Sequence, residues 1–363
     1  MNTLSSKRID SIQAIRFIAA LCVSLFHFGY ISPHISGQTI FDVKFFVNMF
    51  FCISGFFVIM STENIDKRKS FLTRRFIRLI PLYWAMTLVT FVAARILPDL
   101  LGYQPDFVQL VKSLFCIPFS RGALKASETL RPIVGLGHTL QMEVAFSLVF
   151  FVAMRISHKY RALIATGMVS VLAIIGNIFQ FEKPFLRFYL NINWSSWFFF
   201  GLGILCFYIV KEVSKKDSIS KSLFGIWTAL TVISLATPQF FWADIKRYDL
   251  SQYIQLLMCL FFVIEVILID KMGAKTPKLI VSLGNASFSY YLIHYYIVAV
   301  AERYLHINSF STRNILLSLA VIVIAWVISY VSYFVIENLF GKWLTKVIIL
   351  RPKKEKKKDK KTA

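Results

Sequence analysis

Ten stretches of about 20 residues carry almost no charge, and they constrain this chain more than any other feature. They cover approximately residues 12–31, 43–62, 79–97, 134–154, 162–181, 190–210, 222–242, 250–269, 279–301 and 314–337. A bilayer core about 30 Å thick takes roughly 20 apolar residues of helix, so each stretch can cross it. In lipid the backbone must satisfy its own hydrogen bonds, which makes such runs helical. The expected fold is an all-α polytopic integral membrane protein of about ten transmembrane helices, with both termini on one side. Composition agrees, with 57% hydrophobic and 17% charged residues where soluble domains carry about a quarter charged. The third run is bounded by Arg78 and Arg95 and is expected to hold Pro81 in its first turn, where a missing N–H costs little. Arg16 inside the first run argues against a cleaved signal peptide. Four of the five cysteines fall within apolar runs, so no disulfide framework is encoded.

The net charge of +22 would suit a nucleic-acid partner only if Lys and Arg shared a soluble face. They occupy the gaps between apolar runs instead, and that partner is excluded. With ten crossings, 28 of the 41 basic residues lie on the side of the termini; the positive-inside rule makes that side cytoplasmic. Residues 1–346 are read as one transmembrane domain and 347–363 as a basic cytoplasmic tail beside anionic lipid headgroups. The longest loop contains Phe107 to Phe119, an apolar stretch too short to span and read as a re-entrant or interfacial helix. Trp194, Trp197, Trp242 and Tyr248 are read as an interfacial aromatic belt, with stacking on sugar rings as the other use of such residues.

Titratable side chains inside a membrane are costly, so those that occur are functional candidates. Arg16 and His27 lie in the first run, Glu143 in the fourth, Glu265 in the eighth, His294 in the ninth and Glu337 at the end of the tenth. Arg16 and His27 are eleven positions apart, close to three turns, and project from one helix face. At a rise of about 1.5 Å per residue, Arg16 stands roughly 6 Å and His27 roughly 22 Å above the cytoplasmic boundary. By the same estimate Glu143 lies at about 18 Å and His294 at about 22 Å, so three titratable groups are expected at similar depth. Arg74, Arg75 and Arg78 open the third run, with Arg74 and Arg78 on one face. Guanidinium groups bind phosphate bidentately. The same arginines also satisfy the positive-inside rule and can snorkel to lipid phosphate, and spacing alone leaves both readings open. Ser54 and Gly55 place two small residues mid-helix, which permits close helix approach. A His with a carboxylate partner is a suitable general base for a hydroxyl, and His27 with Glu143 is the expected pair. No nucleophile elbow, phosphate-binding Gly-rich loop or Cys/His zinc spacing occurs, so no metal is expected.

Several segments together resemble the membrane acyltransferase 3 family, whose members O-acylate bacterial surface sugars. Arg16-X10-His27 is similar to the family's first-helix pattern, and Asn48 to Phe57 to its second-helix motif. Arg74-Arg75-X-X-Arg78-X-X-Pro81-X-Tyr83 resembles its basic entry to the third helix. Gly137-His138-Thr139-Leu140-Gln141-Met142-Glu143 resembles its His-Thr-X-X-X-Glu segment, although Leu140-Gln141-Met142 departs from the usual filling. Leu283 to His294, through Tyr290, and Phe334 to Glu337 are like its last two motifs. The resemblance implies an integral O-acyltransferase of the bacterial cytoplasmic membrane. It would move an acyl group, acetyl being expected, from cytoplasmic acyl-CoA to a hydroxyl of a cell-envelope glycan, exopolysaccharide or glycolipid, with no tightly bound cofactor. By that implication Arg16, Arg74, Arg75 and Arg78 hold the CoA phosphates and His27 works at the transfer centre. Glu143 assists it, and Ser54, Gly55, His138, Tyr290, His294 and Glu337 give substrate or structural support. The alternative is a transporter or translocator of a lipid-linked sugar, in which the buried His and Glu relay protons or bind the solute.

Overall fold

A computed structural model describes residues 9–28, 43–63, 70–97, 104–120, 130–213, 220–241, 244–245, 250–307, 309 and 311–349. Among these residues every extended element is helical, with one isolated bridge between Ser120 and Leu130. The long helices are α1 (Asp10–Phe26), α2 (Val43–Ser61), α3 (Phe71–Ile96), α5 (Gly137–Ile156), α6 (Arg161–Ile178), α7 (Trp194–Val213), α8 (Lys221–Phe240), α9 (Ser251–Lys271), α10 (Lys278–Leu305) and α11 (Thr312–Ser332). Short α4 (Phe107–Leu114) follows α3, and α12 (Gly341–Ile348) closes the described chain. Tail residues 351–363, Trp242 and Tyr248 lie outside the described residues.

Among the described residues, eight helices are long and apolar enough to cross a membrane, the last being the continuous Thr312–Ile348 segment. The two long helices outside this set are α1 and α10. At 17 residues, α1 is short. The 28-residue α10 is diluted by Asn285, Ser287, Ser289, Tyr290, Tyr291 and His294. These two helices pack on each other, and their polarity is that of the site they carry.

Apolar burial drives little helix association in lipid; packing does, and small residues let backbones approach. Gly55 of α2 sits against the Phe200 carbonyl of α7, and Gly203 of α7 against the Cys52 carbonyl of α2. Around this contact the Phe146 and Phe200 rings stack at 4.0 Å, and Phe51 and Phe207 close the same core. Gly284 of α10 likewise meets the Gln13 carbonyl of α1, while His27 and His294 meet further along, so these helices run parallel.

Helix α3 starts eight residues before its apolar run, at Phe71, and places Pro81 in its interior rather than its first turn. All three arginines are therefore helical residues with fixed angular positions. The stretch after Phe107 forms α4, capped by a reciprocal Asp106–Gln109 box with the Gln109 N–H 2.7 Å from Asp106 Oδ1. It buries Leu110 and Ser113 and exposes Phe107, Val108, Val111 and Phe115. This is the pattern of a helix lying in an interface. Arg187–Ile192 before α7 and Tyr333–Phe340 after α11 are π-helical, a geometry that re-aims side chains and is frequent at functional sites.

Candidate active site

The start of α3 brings three guanidinium groups to one end of the bundle, and helix geometry sends them to different places. Arg74 and Arg78, one turn apart, line a cavity of about 650 Å³ together with Arg16 and Glu337. Arg16 is buried and donates to Gln13 Oε1 at 3.0 Å. The π-helical turn directs Glu337 inward, where it accepts a hydrogen bond from Ser289 and faces the charges of Arg16 and Arg78. This end is cationic and open.

Arg75 points about 100° away from Arg74 around the helix and enters the bundle interior. Its Nη2 lies 2.9 Å from Glu143 Oε1 and 2.7 Å from Ser54 Oγ, and its Nε donates to Ser147 Oγ at 3.2 Å. Ser54 also donates to Glu143 at 3.1 Å. Arg75 is thus paired with Glu143 on the inner side of the arginine cluster, while His27 and Glu143 line different cavities. A buried guanidinium requires a carboxylate and further acceptors, and Glu143 with Ser54 and Ser147 supplies them. This polar knot ties α2, α3 and α5 together. Gly55, one residue on, serves the helix contact with α7.

The partner of His27 is His294. His27 is the first residue beyond α1, and its Nδ1 lies 2.8 Å from His294 Nε2. His294 is fully buried, with Nδ1 2.8 Å from the Tyr290 carbonyl oxygen. The network assigns the tautomers. A carbonyl can only accept, so His294 carries its proton on Nδ1 and presents a lone pair at Nε2. His27 then donates from Nδ1, and its own lone pair stands on Nε2. The His27 and His294 rings lie edge to edge, 21° from parallel with centroids 5.0 Å apart, as their hydrogen bond requires; Tyr290 lies near-parallel to His294 at 5.1 Å and Trp326 stacks on Tyr290 at 3.9 Å. Tyr290 is therefore both a stacking partner and the source of the carbonyl.

Three cavities follow one another along the bundle. The basic-end cavity shares Arg16, Phe57 and Arg78 with a central one of about 70 Å³, also lined by Arg75, Glu143 and Ser287. That one shares Val47, Phe51, Thr139 and Tyr291 with a far chamber of about 760 Å³, lined by His27, His138 and Trp194. His138 Nδ1 sits 2.9 Å from the Gly135 carbonyl. Only the end cavities reach the roughly 300–1,000 Å³ of small-molecule sites; the centre is a constriction. Glu265 lies away from this line, accepting from Thr228 Oγ1 at 2.8 Å between α8 and α9. Trp197 is buried and donates to the Tyr189 carbonyl at 2.8 Å.

Sequence reasoning gave no role to Ser287, Thr139 and Tyr291, although all three fall within the segments that carry the family resemblance. The Ser287 hydroxyl is buried without a partner among the described residues and lines the constriction. The Thr139 and Tyr291 hydroxyls, 3.2 Å apart, stand where the constriction meets the far chamber. Uncharged, they give no signal in a search for titratable groups.

A family model described as an acyltransferase domain, of the acyltransferase 3 type, matches residues 9–334. The exopolysaccharide production protein ExoZ of Rhizobium meliloti (strain 1021) is 25% identical over 263 residues, 71% of this chain and 77% of that protein. No solved structure matches the chain. With the family match running from the start of α1 to the segment that carries Glu337, this multi-pass chain belongs to the membrane acyltransferase 3 family.

Proposed function

We propose that the protein is a membrane O-acyltransferase that carries an acyl group from a cytoplasmic acyl-CoA through the bundle to a hydroxyl of an envelope polysaccharide or its lipid-linked precursor. The observation that carries this reading is the chain of cavities, with a guanidinium cluster at one end and a His27 lone pair at the other. In this reading α1 and α10 cross the bilayer too, making ten spans with the basic end cytoplasmic. Arg16, Arg74 and Arg78 hold the CoA phosphates, Arg75 being neutralised by Glu143. The pantetheine arm points into the constriction, where the Ser287 hydroxyl is available to it. A passage this narrow suits a short acyl group such as acetyl.

The acceptor hydroxyl enters the far chamber and gives its proton to His27 Nε2. The new alkoxide attacks the thioester carbonyl, so a C–O bond forms as the C–S bond breaks. The proton then passes from His27 to the departing CoA thiolate. His294 acts as a positioning residue whose neutral Nε2 holds the His27 ring and accepts its Nδ1–H. A transport reading has less support, because the chain belongs to an acyltransferase family.

The test is acyl transfer from radiolabelled acetyl-CoA by purified protein, with envelope glycans compared by mass spectrometry in its presence and absence. His27→Ala should abolish transfer while leaving the protein folded. Retained transfer would remove His27 from the mechanism.

A further inference from the structure

The far chamber has a charge of its own. Lys44 at the start of α2, Arg131 before α5 and Arg187 at the start of the first π-helical segment all line it, and no carboxylate does so among the described lining residues. Lys44 and Arg131 are exposed, and neither side chain meets a carboxylate among the described residues. Arg131 stands close enough to His27 and Tyr291 for its charge to act on both. Like charges gathered in a concave, low-dielectric wall focus a positive potential into the space they enclose. Holding Lys44 and Arg131 in one wall is unfavourable until an anion enters, and a guanidinium is suited to a carboxylate or a phosphate.

The remainder of the wall is built for a sugar ring. Trp194 presents an aromatic surface to the chamber, steadied by Tyr253 at 5.9 Å. Beside it Asn48 Nδ2 lies 3.5 Å from Gln252 Oε1 and 3.5 Å from Gln255 Oε1. The Asn48–Gln252 contact is at the long limit of hydrogen bonding, and both amides line the chamber, where they can meet hydroxyls.

We infer that the acceptor is anionic: a glycan bearing a carboxylate or phosphoryl group, with that group on Arg131 and Lys44 and a neighbouring hydroxyl at His27 Nε2. The inference rests on the reading of the chamber as the acceptor site. An anion seated on Arg131 also offsets that guanidinium's repulsion of a proton arriving at His27. The anionic group has two sources of shared chemistry, an acidic sugar of the chain itself or the diphosphate of a prenyl carrier.

The experiment measures binding without catalysis, using the full-length protein in nanodiscs and three probes: tetragalacturonate, its carboxyl-reduced neutral form, and a prenyl diphosphate. At least one anionic probe should bind about tenfold more tightly than the neutral sugar, with affinity falling as salt rises. Arg131→Gln and Lys44→Gln should each weaken that probe several-fold, and Arg131→Lys should restore part of the loss. Preference for tetragalacturonate assigns the anion to the glycan, and preference for the prenyl diphosphate assigns it to the carrier. Equal binding of all three, or no effect of Arg131→Gln in a protein of unchanged thermal stability, overturns the inference. Arg131-dependent anion binding without any acyl transfer would instead defeat the transferase reading and leave the chamber as an anion-binding site whose ligand is not an acyl acceptor.

Discussion

His294 shows how one side chain sets the chemistry of another. Its Nδ1 is committed to the Tyr290 carbonyl, so its Nε2 can only accept, and His27 is oriented with its own lone pair outward. Because the role is acceptance of a hydrogen bond, the consequence of substitution depends on what the new residue can accept. His294→Phe should lower kcat for acyl transfer by about 100-fold or more, with little change in the KM for acyl-CoA. His294→Gln, whose amide oxygen can reach the His27 N–H, should recover part of that loss. Equal defects in the two variants, read by initial rates across donor concentration, would reduce His294 to a packing residue. The outcome is separable from folding because Gln and Phe bracket His in volume.

At the scale of elements, the polar knot of Arg75, Glu143, Ser54 and Ser147 fastens three helices, α2, α3 and α5, to one another. Removing one member of a buried pair leaves the other charged and unsatisfied, at a cost of about 3–5 kcal/mol. Arg75→Met and Glu143→Gln should each therefore lower thermal stability strongly, and the double variant should be more stable than the sum of the two losses. Additive losses in a double-mutant cycle of thermal unfolding would show that the pair is not coupled. Close approach of α2 and α7 depends on a different device. Gly55→Val would drive a side chain into the Phe200 carbonyl, with the Gly203 contact next to it. The two helices must then separate, and folded protein recovered from membranes should fall sharply. Normal recovery and activity of Gly55→Val would mean that the interface is adaptable.

The whole molecule sets two wide cavities with basic linings, one beside Arg16 and one beside His27, on either side of a narrow centre. If α1 and α10 span the membrane with the rest, the cysteines of Ser218→Cys and Lys358→Cys should react with an impermeant maleimide only in inside-out vesicles. That of Ser127→Cys should react from the outer face of intact cells. Labelling of positions 218 and 358 from opposite sides would show that α10 does not span, because α8, α9 and α11 alone make an odd number of crossings between them. Much of this architecture was legible in the linear order of residues. Apolar runs of bilayer length dictate helices, because lipid offers the backbone no other partner, and of the titratable residues interrupting those runs Arg16, His27, Glu143 and Glu337 line the cavities while Glu265 lies apart. Arg16 and His27 on one face, and the separation of a basic end from a histidine, followed from helical rise and periodicity. What linear order could not provide was partners. Depth set His294 level with His27 and Glu143 within about 4 Å of it, yet depth says nothing about which faces of separate helices meet. The parallel packing of α1 on α10 through Gly284 gave His27 a histidine, and the angular offset of Arg75 from Arg74 drew Glu143 to a guanidinium instead. The inventory of the site was set by the sequence; its pairing was decided by helix rotation and close packing, which only the tertiary structure contains.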